Sequence, residues 1–173
     1  MAIIYPTFEN IKKLKVKPTA GELFLLSYLL QKFDDSVEIF FQPFLNGDRP
    51  DIILLKKGVG ATIIEVKDWN LSNYRIDNNQ WYLKSNNQKI KSPFQQVYHY
   101  KDNMFNLHVN GILEEKIRNS KFYGRINVYV YFHNATKIDL RNLYENENFE
   151  QSKLEKINRD IEYTAITRDS IKI

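Results

Sequence analysis

The stretch Pro50-Asp51-Ile52-Ile53-Leu54-Leu55-Lys56-Lys57-Gly58-Val59-Gly60-Ala61-Thr62-Ile63-Ile64-Glu65-Val66-Lys67 decides the reading of this chain. Two short apolar runs, DIILL and ATIIEV, are joined by a glycine-containing turn, the pattern of a β-hairpin. The second run then breaks the pattern of a wholly apolar buried strand. Ala61 to Ile64 are small or apolar, yet Glu65 and Lys67 follow on the same strand. Side chains two apart on a strand share a face, so Glu65 and Lys67 point the same way. Asp51 stands at the mouth of the partner strand, where the hairpin can bring it beside Glu65. Two carboxylates and a lysine converging on a central strand are costly to bury without compensation. A divalent cation offsets that cost, and two carboxylate oxygens completed by waters suit octahedral Mg²⁺.

An isolated E-x-K triplet is most often a solvated pair at a strand end, and the chain holds its own control. Glu114-Glu115-Lys116 repeats the triplet on a polar helical stretch with no upstream Asp hairpin, and it is assigned no chemistry. The combination separates the two copies: Asp51 after Pro50, an apolar strand, a turn, a second apolar strand, then Glu65-Val66-Lys67.

Working outward, Thr19 opens TAGELFLLSYLLQKF, and Thr19 with Glu22 has the spacing of a capping box. Leu23, Leu26, Leu29 and Leu30 recur at helical intervals, which predicts an amphipathic helix. VEIFFQPF, after Asp34-Asp35-Ser36, reads as a strand. Beyond the central hairpin, NYRID and QWYLK flank Asn78-Asn79 and predict a second, more exposed hairpin. Pro93 starts a helix expected to run to about Arg118, and RINVYVYF, near 125–132, is a further strand. The first seventeen residues end in the basic, irregular stretch IKKLKVKP. The polar remainder from about 139 is expected to hold a helix and a final short strand. This order predicts an α/β sandwich with a mixed central sheet flanked by helices. The chain reads as one domain over 1–173, with a core of about 19–135 and a polar extension of about 139–173.

Composition narrows the setting. A length of 173 residues supports one sizeable core. Cys is absent, so neither a disulfide framework nor a thiolate metal site can form. No apolar run approaches the roughly 20 residues needed to cross a bilayer, and MAIIYPTFEN lacks the form of a signal peptide. The expected setting is therefore cytoplasmic, without a membrane partner. A net charge of +4 leans weakly toward a polyanionic partner.

Pro50-Asp51 followed by Glu65-Val66-Lys67 spells the PD-(D/E)xK signature. Gly21-Glu22, Asp51-Ile52, Ile64-Glu65-Val66-Lys67-Asp68-Trp69, Trp81 and Ser92-Pro93-Phe94-Gln95-Gln96 then follow in the order of the nuclease-related domain (NERD) family, ending in RINVYVYFHNA. Over about 19–135 the chain resembles that family. It departs at Leu71, where the family tends to have Gly shortly after the Trp, and at Ser92, where it favours Asn, which marks a divergent member. The resemblance implies a restriction-endonuclease-like fold with an α-β-β-β-α-β core. It also implies a hydrolase: a Mg²⁺- or Mn²⁺-dependent nuclease acting on DNA, with RNA left open.

In that reading Asp51, Glu65 and the backbone carbonyl of Val66 would ligate the metal, which would polarise the scissile phosphate and acidify a bound water. Lys67 would orient that water or neutralise developing charge. Glu22 carries two readings, assistance to the metal and completion of the capping box. Gln96 and Tyr100, four apart on one helical face, resemble the Q-x-x-x-Y pattern of RecB-like nucleases. Gln95 with His99 is the competing register, and Gln96 is favoured because the family Gln falls three after the Pro. Arg75, Lys84 and Lys91, with Lys89, are candidates to track a phosphate backbone. His99, His108 and His133 lack metal-ligand spacing and read as structural or surface residues, and Trp69 and Trp81 read as packing residues. The resemblance further implies fusion or binding to a helicase-like module in a DNA-processing or defence protein, with a homo-oligomer left open. Two alternatives remain: a nucleic-acid-binding member with little activity of its own, and a junction-resolvase-like dimeric endonuclease.

Overall fold

Gly58 and Gly60, both at positive φ (77° and 147°), turn the central hairpin. A Cβ on Gly60 would collide with the Arg125 carbonyl, so only glycine fits there. The computed structural model describes residues 1–145 and 150–171, and in it the hairpin pairs β3 (Ile52–Lys56) antiparallel with β4 (Gly60–Lys67), from Ile52↔Ile64 to Lys56↔Gly60. β2 (Val37–Phe41) lies antiparallel to β3, and β8 (Ile126–Phe132) runs parallel to β4 from Ala61↔Ile126 to Lys67↔Phe132. Two short strands close the edges: β1 (Ile3–Tyr5) parallel to β2, and β9 (Ala165–Thr167) parallel to β8. The sheet order among the described residues is β1-β2-β3-β4-β8-β9, with β4 central. This is the mixed sheet expected of a restriction-endonuclease-like fold.

The strand alternation builds two cores. On one face, α2 (Ala20–Lys32) seats Leu25, Leu26 and Leu29 against Ile39, Ile52, Ile64 and Val66. Leu25 takes the place expected for Leu23, which is only half-buried. Thr19 caps this helix as its spacing predicts: its hydroxyl accepts from the Glu22 N–H at 3.2 Å, and Glu22 accepts from the Thr19 N–H at 2.6 Å. On the other face, α3 (Pro93–Asn103) packs Phe94, Val97 and Tyr100 over Ile53, Ile63, Val130 and Phe132.

Several elements depart from the sequence reading. The first seventeen residues contribute β1 and the short α1 (Phe8–Lys12), whose Ile11 is fully buried. The second hairpin, β5 (Tyr74–Asp77) and β6 (Gln80–Leu83), turns at Asn78-Asn79 with φ of 49° and 61°. It gains a third strand, β7 (Lys89–Ile90). The long helix expected from Pro93 to about Arg118 is broken. It widens into a π turn at Met104–His108, bends at Gly111 with φ 83°, and resumes as α4 (Ile112–Arg118), which buries no residue. Met104 and Phe105 pull the chain into the core there, and Asn110-Gly111 supplies the left-handed turn. The Glu114-Glu115-Lys116 triplet lies on exposed α4, away from the sheet.

The polar C-terminal stretch packs rather than trailing away. α5 (Lys137–Glu145) and α6 (Gln151–Arg159) bury Leu140, Tyr144 and Ile157, and a π turn at Asp160–Thr164 leads into β9. Tyr144 meets Trp81 edge-on with centroids 6.0 Å apart. Among the described residues, no helix is long and apolar enough to cross a membrane.

Candidate active site

The end of β3 falls short of the end of β4, and that gap makes the site. The ladder closes at Ile52↔Ile64, leaving Val66 without a β3 residue opposite. Asp51, one residue before the strand, fills the place with its side chain, and its Oδ2 accepts from the Val66 N–H at 2.7 Å. A residue's N–H and C=O lie on the same edge of a strand, so the Val66 carbonyl faces this gap too. Ile64 and Val66 serve the α2 core, and Glu65 and Lys67 therefore face α3. Gln96 meets them there. Its amide donates to Glu65 Oε1 at 2.8 Å, and its carbonyl lies 3.3 Å from Lys67 Nζ. Lys67 pairs with the same Glu65 oxygen at 2.7 Å. Lys67 Nζ also lies 5.2 Å from the centre of the Trp69 ring.

Around this centre stands a supporting ring. Gln96 also donates to the Tyr100 hydroxyl at 2.8 Å, and that hydroxyl reaches toward the Arg49 carbonyl at 3.5 Å. Glu22 is buried at the N-terminus of α2, one oxygen held by Thr19 and the other accepting from Gln42 at 2.7 Å. Asp68, next after Lys67, accepts from the Gly21 N–H and the Thr19 hydroxyl at 2.9 and 3.0 Å, clamping the start of α2 onto the end of β4. A Cβ on Gly21 would run into Asp68, which explains a glycine beside Glu22. Sequence reasoning missed Gln42, Arg49 and Asp68. Gln42 and Arg49 sit in the irregular connection between β2 and β3, where nothing local signals a role. The Gly21 and Asp68 pair did sit inside the quoted motifs.

Electrostatics single out the carboxylates. Burial, then the Glu65 charge and more weakly the Glu22 charge, push the Asp51 carboxyl up to about 7, against the Val66 hydrogen bond. Burial raises Glu65 as well, opposed by Lys67 and Gln96. Burial pushes the Tyr100 phenol up to about 12. Glu65 Oε2 is buried without a hydrogen-bond partner among the described residues. An orphaned carboxylate oxygen, a proton-holding aspartate beside it and a free strand-edge carbonyl are hard oxygen donors converging on one gap, and that chemistry fits Mg²⁺ or Mn²⁺. No group of three His, Cys, Asp or Glu side chains is placed to hold a metal among the described residues, and both Glu22 oxygens accept hydrogen bonds. Backbone oxygen and water would have to complete such a site.

The structure thus gathers Asp51, Glu65, Lys67 and Gln96, with Glu22 and Tyr100 alongside. It does not bring Arg75, Lys84 or Lys91 into that centre. Arg75 lies over Tyr82 at 4.5 Å on the small sheet and pairs with Asp77 at 3.5 Å. Lys84 is exposed at the end of β6, and Lys91 and Lys89 are exposed before α3. Trp81 is buried in the core and Trp69 stacks on Tyr74 with centroids 4.4 Å apart. Of the three histidines, His133 is buried against Tyr131, His108 pairs with Asp48 at 2.8 Å, and His99 is exposed beside Asn103.

The two helical registers face differently. Gln95 is exposed on the side of Tyr98 and Asp160, whereas Gln96 touches Glu65 and Lys67. Gln96→Ala is therefore expected to slow single-turnover cleavage at saturating protein by about 2–4 kcal/mol in barrier, as for one preorganised neutral donor. Gln95→Ala should stay near the wild-type rate. The reverse pattern would move the site to the Gln95 and His99 face, and equal small effects would reduce α3 to packing.

Comparison with known proteins gives one match. No curated protein and no solved structure matches the chain significantly. The sequence does match the nuclease-related domain, a PD-(D/E)xK-like nuclease family, over residues 17–133. That span runs from just before the capped helix to the end of β8 and holds every residue of the gap between β3 and β4. Covering more than half of the chain, the match establishes the assignment: this protein belongs to the nuclease-related domain (NERD) family.

Proposed function

We propose that this domain hydrolyses phosphodiester bonds in DNA with Mg²⁺ or Mn²⁺ held by Asp51, Glu65 and the Val66 carbonyl. The observation that carries the reading is the Glu65 oxygen without a partner among the described residues, beside an Asp51 carboxyl that burial and like charge push up to about 7. Carboxylates left in this state are poised to exchange a proton for a cation. The bound ion would supply Lewis acidity toward a phosphoryl oxygen and a water of lowered pKa. The chain's own groups do the rest. Glu65 Oε1 fixes both the Lys67 ammonium and the Gln96 amide, so each is oriented before substrate arrives. Lys67 has three N–H donors. One meets Glu65 and one faces the Gln96 carbonyl, which leaves the third for a phosphoryl oxygen or the attacking water. Glu22 and Asp68 hold α2 against the strand ends and so keep the gap in register. We further place the domain as a cytoplasmic nuclease module working with a helicase-like partner in DNA processing or defence.

Incubation with circular and linear single- and double-stranded DNA, and with matched RNA, tests this reading. The expected result is nicking or linearisation of DNA in Mg²⁺ or Mn²⁺ and none in EDTA. Circular and linear DNA both left intact under all conditions, or cutting that persists in EDTA, would overturn it.

A further inference from the structure

A cavity of about 460 Å³ opens between the small sheet and α5. Its volume lies in the range of small-ligand pockets, roughly 300–1,000 Å³. The gap chemistry makes no use of it, yet it adjoins that centre. Lys67 Nζ is 5.2 Å from the Trp69 ring, and Trp69 stacks at 4.4 Å on Tyr74, which lines the cavity. Lys67 and Tyr74 are thus within about 10 Å, on the order of three nucleotides at a stacked rise of about 3.4 Å per nucleotide and fewer on an extended strand.

The lining combines apolar surface, one aromatic ring and several amides. Leu71, Ile76, Ala135 and Leu143 contribute apolar surface, and Tyr74 contributes an aromatic ring. Three amides stand among them. Asn70 accepts from Ser72 through Oδ1, which leaves its NH₂ free to donate. Asn134 donates to the Asp68 carbonyl, which leaves its own oxygen free to accept. Asn142, exposed on α5, makes no hydrogen bond among the described residues. Donors and acceptors on an apolar floor complement the edge of a nucleobase. Asp139 also lines the cavity and suits a base amino group, beside the cationic Arg75 and Lys84. Lys84, exposed and without an ion pair among the described residues, supplies a cation for the backbone.

We propose that this cavity receives one unpaired nucleobase of the DNA substrate, so that the domain engages single-stranded or locally opened DNA in preference to closed duplex. A paired base presents its edge to its partner and cannot enter such a pocket. The proposal rests on the nuclease reading for the identity of the ligand, and its test is independent of cleavage.

The experiment uses the wild-type protein in EDTA with a short single-stranded oligonucleotide carrying 2-aminopurine at one position at a time. A hairpin duplex of the same sequence is the control. A fluorescence change at one position is expected for the single strand and none for the hairpin, with the single strand bound about tenfold tighter, as for one stacked base. Asn142→Trp, which fills the cavity from α5, should abolish both differences. Asn142→Ala, which removes only the amide, should weaken single-strand binding several-fold while leaving the hairpin alone, so the test survives if the larger variant misfolds. Equal binding of both DNAs with no responding position would overturn the subsite even in a protein that cuts DNA. A responding position in a protein that never cuts would support the subsite and sink the nuclease reading.

Discussion

Lys67→Ala is expected to lower DNA cleavage by about a thousandfold or more, the upper end of what one preorganised donor supplies. The effect should exceed that of Gln96→Ala because Lys67 brings a full charge to the place where the phosphoryl group gathers negative charge. The fold should survive. Lys67 sits at the last position of β4 with 14% of its side chain exposed, and it fills no apolar core. Its removal deprives Glu65 of its main charge partner, and burial, which already raises that carboxyl, then favours its neutral form further. Circular dichroism and thermal melting should therefore resemble wild type at neutral pH. Lys67→Arg is also expected to fail as a catalyst, since a planar fork cannot reproduce a compact ammonium fixed between Glu65 and Gln96. The measurement is single-turnover cleavage of circular DNA at saturating protein. Cutting by Lys67→Ala at the wild-type rate would remove the PD-(D/E)xK assignment of the site.

Asp51→Asn is expected to lose divalent-ion binding, read by calorimetric titration with Mn²⁺ in the absence of DNA. Asparagine keeps an oxygen that can accept from the Val66 N–H, so the strand end stays in place while the charge disappears. One of two anionic donors is then gone, and affinity should drop at least a hundredfold, the upper range for altering a metal site's surroundings. The wild-type titration should also depend on pH in a definite direction. With its carboxyl pushed up to about 7, Asp51 holds a proton below that pH, and the ion must displace it. Binding should accordingly weaken by about tenfold per pH unit below about 7 and level off above it. Asp51→Asn should lack this dependence on Asp51. Equal Mn²⁺ binding by both proteins would place the ion elsewhere.

The local order of the chain was written in residues near one another. Gly58 and Gly60 set the hairpin turn, Thr19 and Glu22 set the start of α2, and Pro93 set the start of α3. Each works through backbone dihedrals or hydrogen bonds within a few positions, and such effects are visible in a sequence. Alternation along Ala61–Lys67 likewise placed Glu65 and Lys67 on one face before any fold was known. The register of Gln96 rather than Gln95 followed from a motif spacing, and helical geometry kept the two apart.

What failed locally was decided by burial. The break after Asn103 follows from core contacts of Met104 and Phe105, which outweigh a helical pattern continuing to Arg118. β1 is three residues long and gains its pairing only from the strand beside it, so no periodicity could announce it, whereas the short strand expected near the end of the sequence is β9. The stretch from about 139 looked polar because its core residues, Leu140, Tyr144, Ile157 and Ile161, are spaced over three elements.

The chemistry divides along the same line. Which groups could act was set by the sequence itself, since Asp51 precedes one apolar strand and Glu65 and Lys67 interrupt the next. How they stand was decided only in three dimensions. The β3–β4 ladder ends one step early, so Asp51 takes the Val66 N–H, Glu65 keeps an oxygen without a partner, and burial raises both carboxyls. Gln42 reaches Glu22, and Arg49 reaches Gln42, from a connection without local signals. Desolvation and long-range hydrogen bonds depend on what packs above a residue, and no neighbour in sequence carries that information.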